Sequence, residues 1–146
     1  MKKLKFLLPV ILSLTVLVTL FIVSQLPAEA ATSGTCGDNV TWSFDEATGT
    51  LTISGTGEIE DYSLSSPWCD LSPSVKTVKI SHGVTRIGES AFAFCESLTS
   101  ITIPNSITSI GDSAFTDCIS LTSLTIPSSV TSIGSFQSCS SLTSLT

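Results

Sequence analysis

Two consecutive stretches of the chain align without a gap: "GVTRIGESAFAFCESLTSITIPN", Gly83 to Asn105, and "SITSIGDSAFTDCISLTSLTIPS", Ser106 to Ser128. Gly88, Gly111 and Gly134 recur at a constant interval of 23, and Phe92/Phe115, Cys95/Cys118 and Ile103/Ile126 keep the same interval. A unit this short cannot bury its own apolar face, whereas stacked copies can. The period therefore predicts a solenoid in which each turn packs on its neighbours.

Within a unit the apolar spacing is L-x-x-L-x-L: Leu98, Ile101 and Ile103, then Leu121, Leu124 and Ile126, with Val75, Val78 and Ile80 as an earlier copy. Residues two apart share one face of a strand, so each unit contributes a short strand with one buried face. Pro104 and Pro127 stop it, because proline donates nothing to a ladder. A second apolar pair, Ile107/Ile110 or Val130/Ile133, suits a turn or a very short strand and is closed by Gly111 or Gly134. In the following "AFxxC" the Phe and Cys are three apart, which predicts a single helical turn with both on one side.

Upstream, Val40, Trp42 and Phe44 alternate with polar residues, and so do Leu51 and Ile53. With "DEATG" between them as a turn, Asn39 to Ser54 reads as a β-hairpin. A solenoid's first turn otherwise exposes its core, so the hairpin is expected to act as a cap, with Trp68 plugging the same end. The alternative is a small hairpin on a linker, which is barely stable alone in water.

These residues carry a resemblance. "LTSITIPNSITSIGDSAFTDCISL" is similar to the BspA-like leucine-rich repeat of bacterial and protist surface proteins. The likeness is close from Val75 to Thr146 and looser over "CGDNVTWSFDEATGTLTISGTGEIEDY", which is similar to the leader segment that often precedes such repeats. It implies a curved solenoid with a parallel sheet on its concave face, and an adhesion or protein-binding role. The expected fold is a β-rich solenoid of leucine-rich repeats with 23-residue units, an N-terminal β-hairpin cap and no C-terminal cap. The expected domains are residues 1–30, 31–74 for the capping segment, and 75–146 for about three repeats.

The first thirty residues are set apart by "MKKLK", an apolar run from Phe6 to Leu26, and Ala28 and Ala30 at an A-x-A site. They read as a secretory signal peptide; the alternative is an uncleaved anchor, since the run is long enough to span a bilayer. "SGTC" before Cys36 lacks the apolar residue of a lipobox. Both readings place the remainder outside the cytoplasm, secreted or at the cell surface. After cleavage three bases (Lys76, Lys79, Arg86) face eleven acids, a net charge of −8. Such a chain has no footprint for nucleic acid and is repelled by anionic lipid, so membrane contact is expected only through an uncleaved signal.

No constellation for catalysis emerges. His82 takes the slot of Asn105 and Ser128, just after a strand, and has no nucleophile to serve. Cys95, Cys118 and Cys139 share one slot with no CxxC or histidine pair beside them, which argues against zinc and for buried free thiols. Cys36 and Cys69 fall outside the register, and a disulfide between them suits an exported protein. "GEIED" is too short for a calcium loop, and Asn39-Val40-Thr41 is a glycosylation sequon whose use depends on the host. No metal, cofactor or enzymatic activity is expected.

The ligand-facing positions are the outward strand residues Thr77, Ser100 and Ser123, then Lys79, Thr102 and Thr125. Their partner would be a protein, on a host or neighbouring cell. Binding hot spots are usually Trp, Tyr or Arg, and this strip has none, so a second reading stands beside the first. In it the chain is the structural start of a longer array whose recognition residues lie downstream. The end, "SIGSFQSCSSLTSLT", is a third repeat that lacks two residues between Gly134 and Phe136 and stops before its Ile and Pro. It reads as an interrupted repeat with a bare sheet edge, where self-association is expected.

Overall fold

The structure, a computed structural model, describes residues 31–63 and 65–146. The signal-peptide and anchor readings of residues 1–30 lie outside the described residues. The chain runs through β1 (Ser33–Gly37), β2 (Val40–Asp45), β3 (Thr50–Gly55), β4 (Gly57–Glu58), a 3-10 helix (Cys69–Ser74), β5 (Thr77–Ile80), β6 (Val84–Ile87), β7 (Ser100–Thr102), β8 (Ser109–Ile110), β9 (Ser123–Leu124), β10 (Ser132–Ile133) and β11 (Ser144–Leu145).

Each repeat unit supplies two short strands to two separate sheets. One sheet has the order β1-β2-β3-β5-β7 and the other β10-β8-β6-β4; β11 and β9 form a third pair. The pairings between successive turns are parallel, with Val78 beside Ile101, Ile87 beside Ile110 and Ile110 beside Ile133. The fold is thus the β-solenoid that the period demanded. The ladder is interrupted between β7 and β9, so the first sheet does not run unbroken through all turns.

The hairpin is present as β2 and β3, in antiparallel register from Val40–Gly55 to Asp45–Thr50. Asp45 shapes its turn: its carboxylate accepts from the Ala47 N–H and the Thr48 hydroxyl, and Gly49 adopts φ 66°, a value glycine reaches without steric cost. The structure adds two features. β1 pairs antiparallel with β2, and β3 pairs parallel with β5, Leu51 beside Val78 and Ile53 beside Ile80. The hairpin therefore continues the sheet sideways, and the Lys76 and Thr77 N–H groups both donate to the Gly49 carbonyl at the joint.

The core is an aromatic spine along the solenoid. Trp42 meets Trp68 edge-on at 6.0 Å, Trp68 stacks on Phe92 at 5.4 Å, Phe92 on Phe115 at 5.7 Å, and Phe115 on Phe136 at 5.7 Å. Trp68 is fully buried and its indole N–H donates to the Ala91 carbonyl. It stands where a repeat phenylalanine would stand one turn earlier. Around the spine, Leu51, Val78, Leu98, Leu121 and Leu124 fill the interior from the strand side and Ile87, Ile107 and Ile110 from the other.

The "AFxxC" segment is not a helical turn. It is a run of tight turns closed by bonds between residues three apart, such as Ala93 N–H to Ser90 O and Leu98 N–H to Cys95 O. Ser90 and Phe94, and their counterparts Ser113 and Asp117, have φ between 52° and 60°. A left-handed residue ends any right-handed helix, which is why the Phe–Cys spacing survives without one. Threonines stitch the turns: the Thr108 and Thr131 hydroxyls donate to the Thr85 and Thr108 carbonyls of the preceding turn.

Candidate ligand-facing surface

Alternation along β2, β3 and β5 puts one set of side chains into the core and the other outward. Register then assembles the outward set into rows. Asp45, Thr50, Thr77 and Ser100 form one, and Ser43, Thr52, Lys79 and Thr102 the next. Four of the six residues expected to face a ligand, Thr77, Lys79, Ser100 and Thr102, are therefore direct cross-strand neighbours. Ser123 and Thr125 lie on and just after β9, beyond the interruption. There Ser123 faces Ser144, and the Thr125 and Thr146 hydroxyls are 3.4 Å apart.

Sequence reasoning missed the contribution of β2 and β3. The signal is in the sequence: "TLTIS", Thr50 to Ser54, repeats "TVKIS", Thr77 to Ser81, at an offset of 27 rather than 23. The shifted offset hides it from a search at constant period. The polar surface thereby extends across the cap, and Lys79 is its only base.

A second polar feature lies where the cap meets the first turn. A groove of about 550 Å³ is lined by the β1–β2 turn (Gly37 to Asn39), Thr56 to Asp61 and Arg86. Two of its three "GEIED" carboxylates are engaged by Arg86, which donates to Asp61 at 2.6 Å and approaches Glu58 at 3.8 Å. The Glu89 backbone N–H, ahead of the Arg86 guanidinium, holds the Asp61 carboxyl below its ordinary range. The bonds to Asp61 are thus present at neutral pH and weaken as pH falls through that lowered value. Among the described residues no three His, Cys, Asp or Glu side chains converge as metal ligands. His82 stands in the turn between β5 and β6.

The repeat cysteines line one side of the spine. The Cys118 thiol donates to the Phe92 carbonyl at 3.2 Å and the Cys139 thiol to the Phe115 carbonyl at 3.0 Å. Burial pushes the Cys95 thiol up to about 12 and raises those of Cys118 and Cys139. Cys36, desolvated and near Glu60, is likewise pushed up to about 12. Cys69 is half-buried at the start of the 3-10 helix, and all five are free thiols. The thiolate is the reactive form. In the reduced chain a maleimide at mildly alkaline pH should accordingly label Cys69 first and leave Cys36, Cys95 and Cys118 unmodified until the chain unfolds, as read by intact mass. Fast labelling of those three in the folded chain would contradict the burial.

Comparison with known proteins adds three findings. A family model described as a BspA type leucine rich repeat region matches residues 58–146, in six copies. A leucine-rich repeat protein from Eubacterium ventriosum is similar in structure, with TM-score 0.62 and 24% identity over 78% of this chain and 39% of that one. A leucine rich cell surface protein from Faecalibacterium prausnitzii aligns at TM-score 0.46 and 22% identity, over 82% of this chain and 44% of that one. This chain thus spans less than half the length of either. No match was found among curated proteins. Among the described residues no helix is long and apolar enough to cross a membrane.

Proposed function

Because the chain belongs to the BspA type leucine rich repeat family, we propose that it is an exported, non-catalytic module that binds a protein on a host or neighbouring cell through the outward face of its first sheet. The observation that supports this most is the continuity of that face. Small hydroxyl side chains stand in register from the cap through β5 to β7, with no aromatic ring to obstruct a partner. Ser and Thr rows offer hydrogen bonds but little apolar area, so the partner must supply the aromatic and Arg anchors. Residues 1–30 act as the signal peptide, 31–74 as the cap and 75–146 as the repeats.

The test is to place Arg at Thr102 and Thr125. Neither side chain belongs to the buried core, so folding is spared while two long cations obstruct the rows. The double variant is expected to lose adhesion to immobilised host-cell and extracellular-matrix surfaces that retain the parent chain. Equal retention would remove the outward face from consideration.

A second reading is favoured by the absence of Trp, Tyr and Arg from the six ligand-facing residues. The module then acts as the structural start of a longer array, and reading-frame sequence after Thr146 that encodes further copies of the repeat would support it. We further propose oxidation of Cys36 with Cys69 on export. Three rather than five titratable thiols in the unfolded, secreted chain would support that disulfide.

A further inference from the structure

The runs of tight turns at 88–98 and 111–121, between β6 and β7 and again between β8 and β9, form a flank of the solenoid that belongs to neither sheet. A flank is lateral, so turns stacked at either end leave it uncovered. The two runs lie in register: the Ser90, Phe92 and Phe94 N–H groups donate to the Asp112, Ala114 and Thr116 carbonyls at 3.1, 2.9 and 2.8 Å. Phe94 therefore stands beside Asp117, and Glu96 beside Ile119, at roughly the 5 Å pitch of paired strands.

These four residues make a checkerboard, with Phe94 and Ile119 on one diagonal and Glu96 and Asp117 on the other. Phe94 is 41% exposed and Ile119 42%, and Phe94 is the one exposed aromatic residue among the described residues. The sequence after Arg86 holds no Lys, Arg or His, and its four acids, Glu89, Glu96, Asp112 and Asp117, all fall in these two runs. Among the described residues the salt bridges are both made by Arg86, to Glu58 and Asp61, which leaves Glu96 and Asp117 without an ion pair. The flank is thus an apolar pair in a field of uncompensated negative charge.

Phe94 does not serve the fold. Its slot is left-handed in every turn, φ 60° at Phe94, 58° at Asp117 and 57° at Ser138. Asp is among the types that tolerate this conformation, whereas a bulky residue there is a steric outlier. Burial would offset that cost, but this ring stands in solvent and recovers little of it. A ring that is strained and turned outward gains its contacts only from a group outside the chain. Aromatic side chains are also the usual anchors of protein interfaces.

We propose that this flank is a second interaction surface, separate from the outward face of the first sheet, and that its partner is a protein segment presenting an apolar side chain between Lys or Arg residues. The apolar side chain packs on Phe94 and Ile119. The flanking cations meet Glu96 and Asp117, and the face of the Phe94 ring attracts a cation as well. Charge selects the partner, because an acidic segment is repelled by all four carboxylates. The inference goes beyond the reading above and does not depend on it.

The experiment follows backbone amide NMR shifts of the full chain, expressed with its leader in an exporting host, on titration with three synthetic peptides. Their cores are Lys-Leu-Leu-Lys, Lys-Ser-Ser-Lys and Glu-Leu-Leu-Glu. The first is expected to shift the amides of Phe94, Glu96, Asp117 and Ile119, and the other two to leave them in place. Phe94→Ser, which installs the residue type of Ser138 in the same slot, is expected to keep the circular dichroism spectrum and to weaken binding of the first peptide at least about tenfold. Phe94→Leu keeps an apolar side chain there and is expected to retain binding, and Glu96→Lys to weaken it without touching the ring. Thr102→Arg with Thr125→Arg is expected to change nothing in this titration, which separates the flank from the strand face. No shift with any peptide, equal shifts with Lys-Ser-Ser-Lys, shifts centred on other residues, or undiminished binding to the Phe94→Ser chain would each overturn the proposal. Loss of binding in the Thr102 and Thr125 double variant would place the peptide on the first sheet and overturn it too.

Discussion

Phe115→Ala is expected to lower the unfolding free energy by about 3–5 kcal/mol, the range for truncating a buried aromatic. Phe115 is fully buried and its ring is stacked on both faces, by Phe92 and by Phe136. Truncation removes two ring contacts at once and leaves a void between consecutive turns. In a stacked array a turn is held only by its neighbours, so the weakness falls at that interface. Small domains have only about 5–15 kcal/mol in total, and much of this one's margin would go. Urea titration followed by circular dichroism measures it. Phe94→Ala is the comparison: the same residue type in the adjacent turn, 41% exposed at φ 60°, is expected to cost less than about 0.5 kcal/mol, as surface substitutions do. Equal costs for the two would mean that the spine does not hold the turns together.

Gly111→Ala is expected to cost about 1–3 kcal/mol, the range for an overpacked interior. An added Cβ would lie 2.6 Å from the Glu89 nitrogen and 2.8 Å from the Gly88 carbonyl carbon of the preceding turn. Both are backbone atoms, with no side chain to swing aside. Gly111 itself is fixed, because its N–H donates to the Ile87 carbonyl. The glycine recurs once in every repeat because at this point each turn approaches the one below at backbone-to-backbone distance. Thermal denaturation of the variant beside the parent would show the loss, and an unchanged midpoint would mean that the turns can separate without penalty.

Much of the fold was legible because it follows from period. The interval of Gly88, Gly111 and Gly134 dictated stacking, and the Leu98–Ile101–Ile103 spacing dictated a strand with one buried face. What escaped reading broke the period or used conformations that spacing does not encode. β1 is "SGTCG", whose glycines and serine give no strand signal, and it exists because β2 offers an edge. β3 copies β5, but at an offset of 27 instead of 23. Trp68 was legible as a plug, but its place in the ring stack was not, since a single tryptophan carries no register. The left-handed residues Ser90 and Phe94 were hidden because neither type announces that conformation, as glycine or asparagine would. For the six residues expected to face a ligand, alternation told which side chains point outward. It could not tell that the ladder lapses between β7 and β9, because Leu124 and Ile101 obey the same alternation.

The shortened third repeat has a practical corollary. The interval from Phe115 to Phe136 is 21, against 23 from Phe92 to Phe115, yet the ring spacing is the same 5.7 Å. The solenoid thus counts turns, not residues, and the link between glycine and aromatic behaves as a variable-length spacer. Foreign peptide grafted between Gly111 and Ala114 would be displayed laterally while the strands keep their pitch, which makes that link a natural insertion point for epitopes or affinity tags.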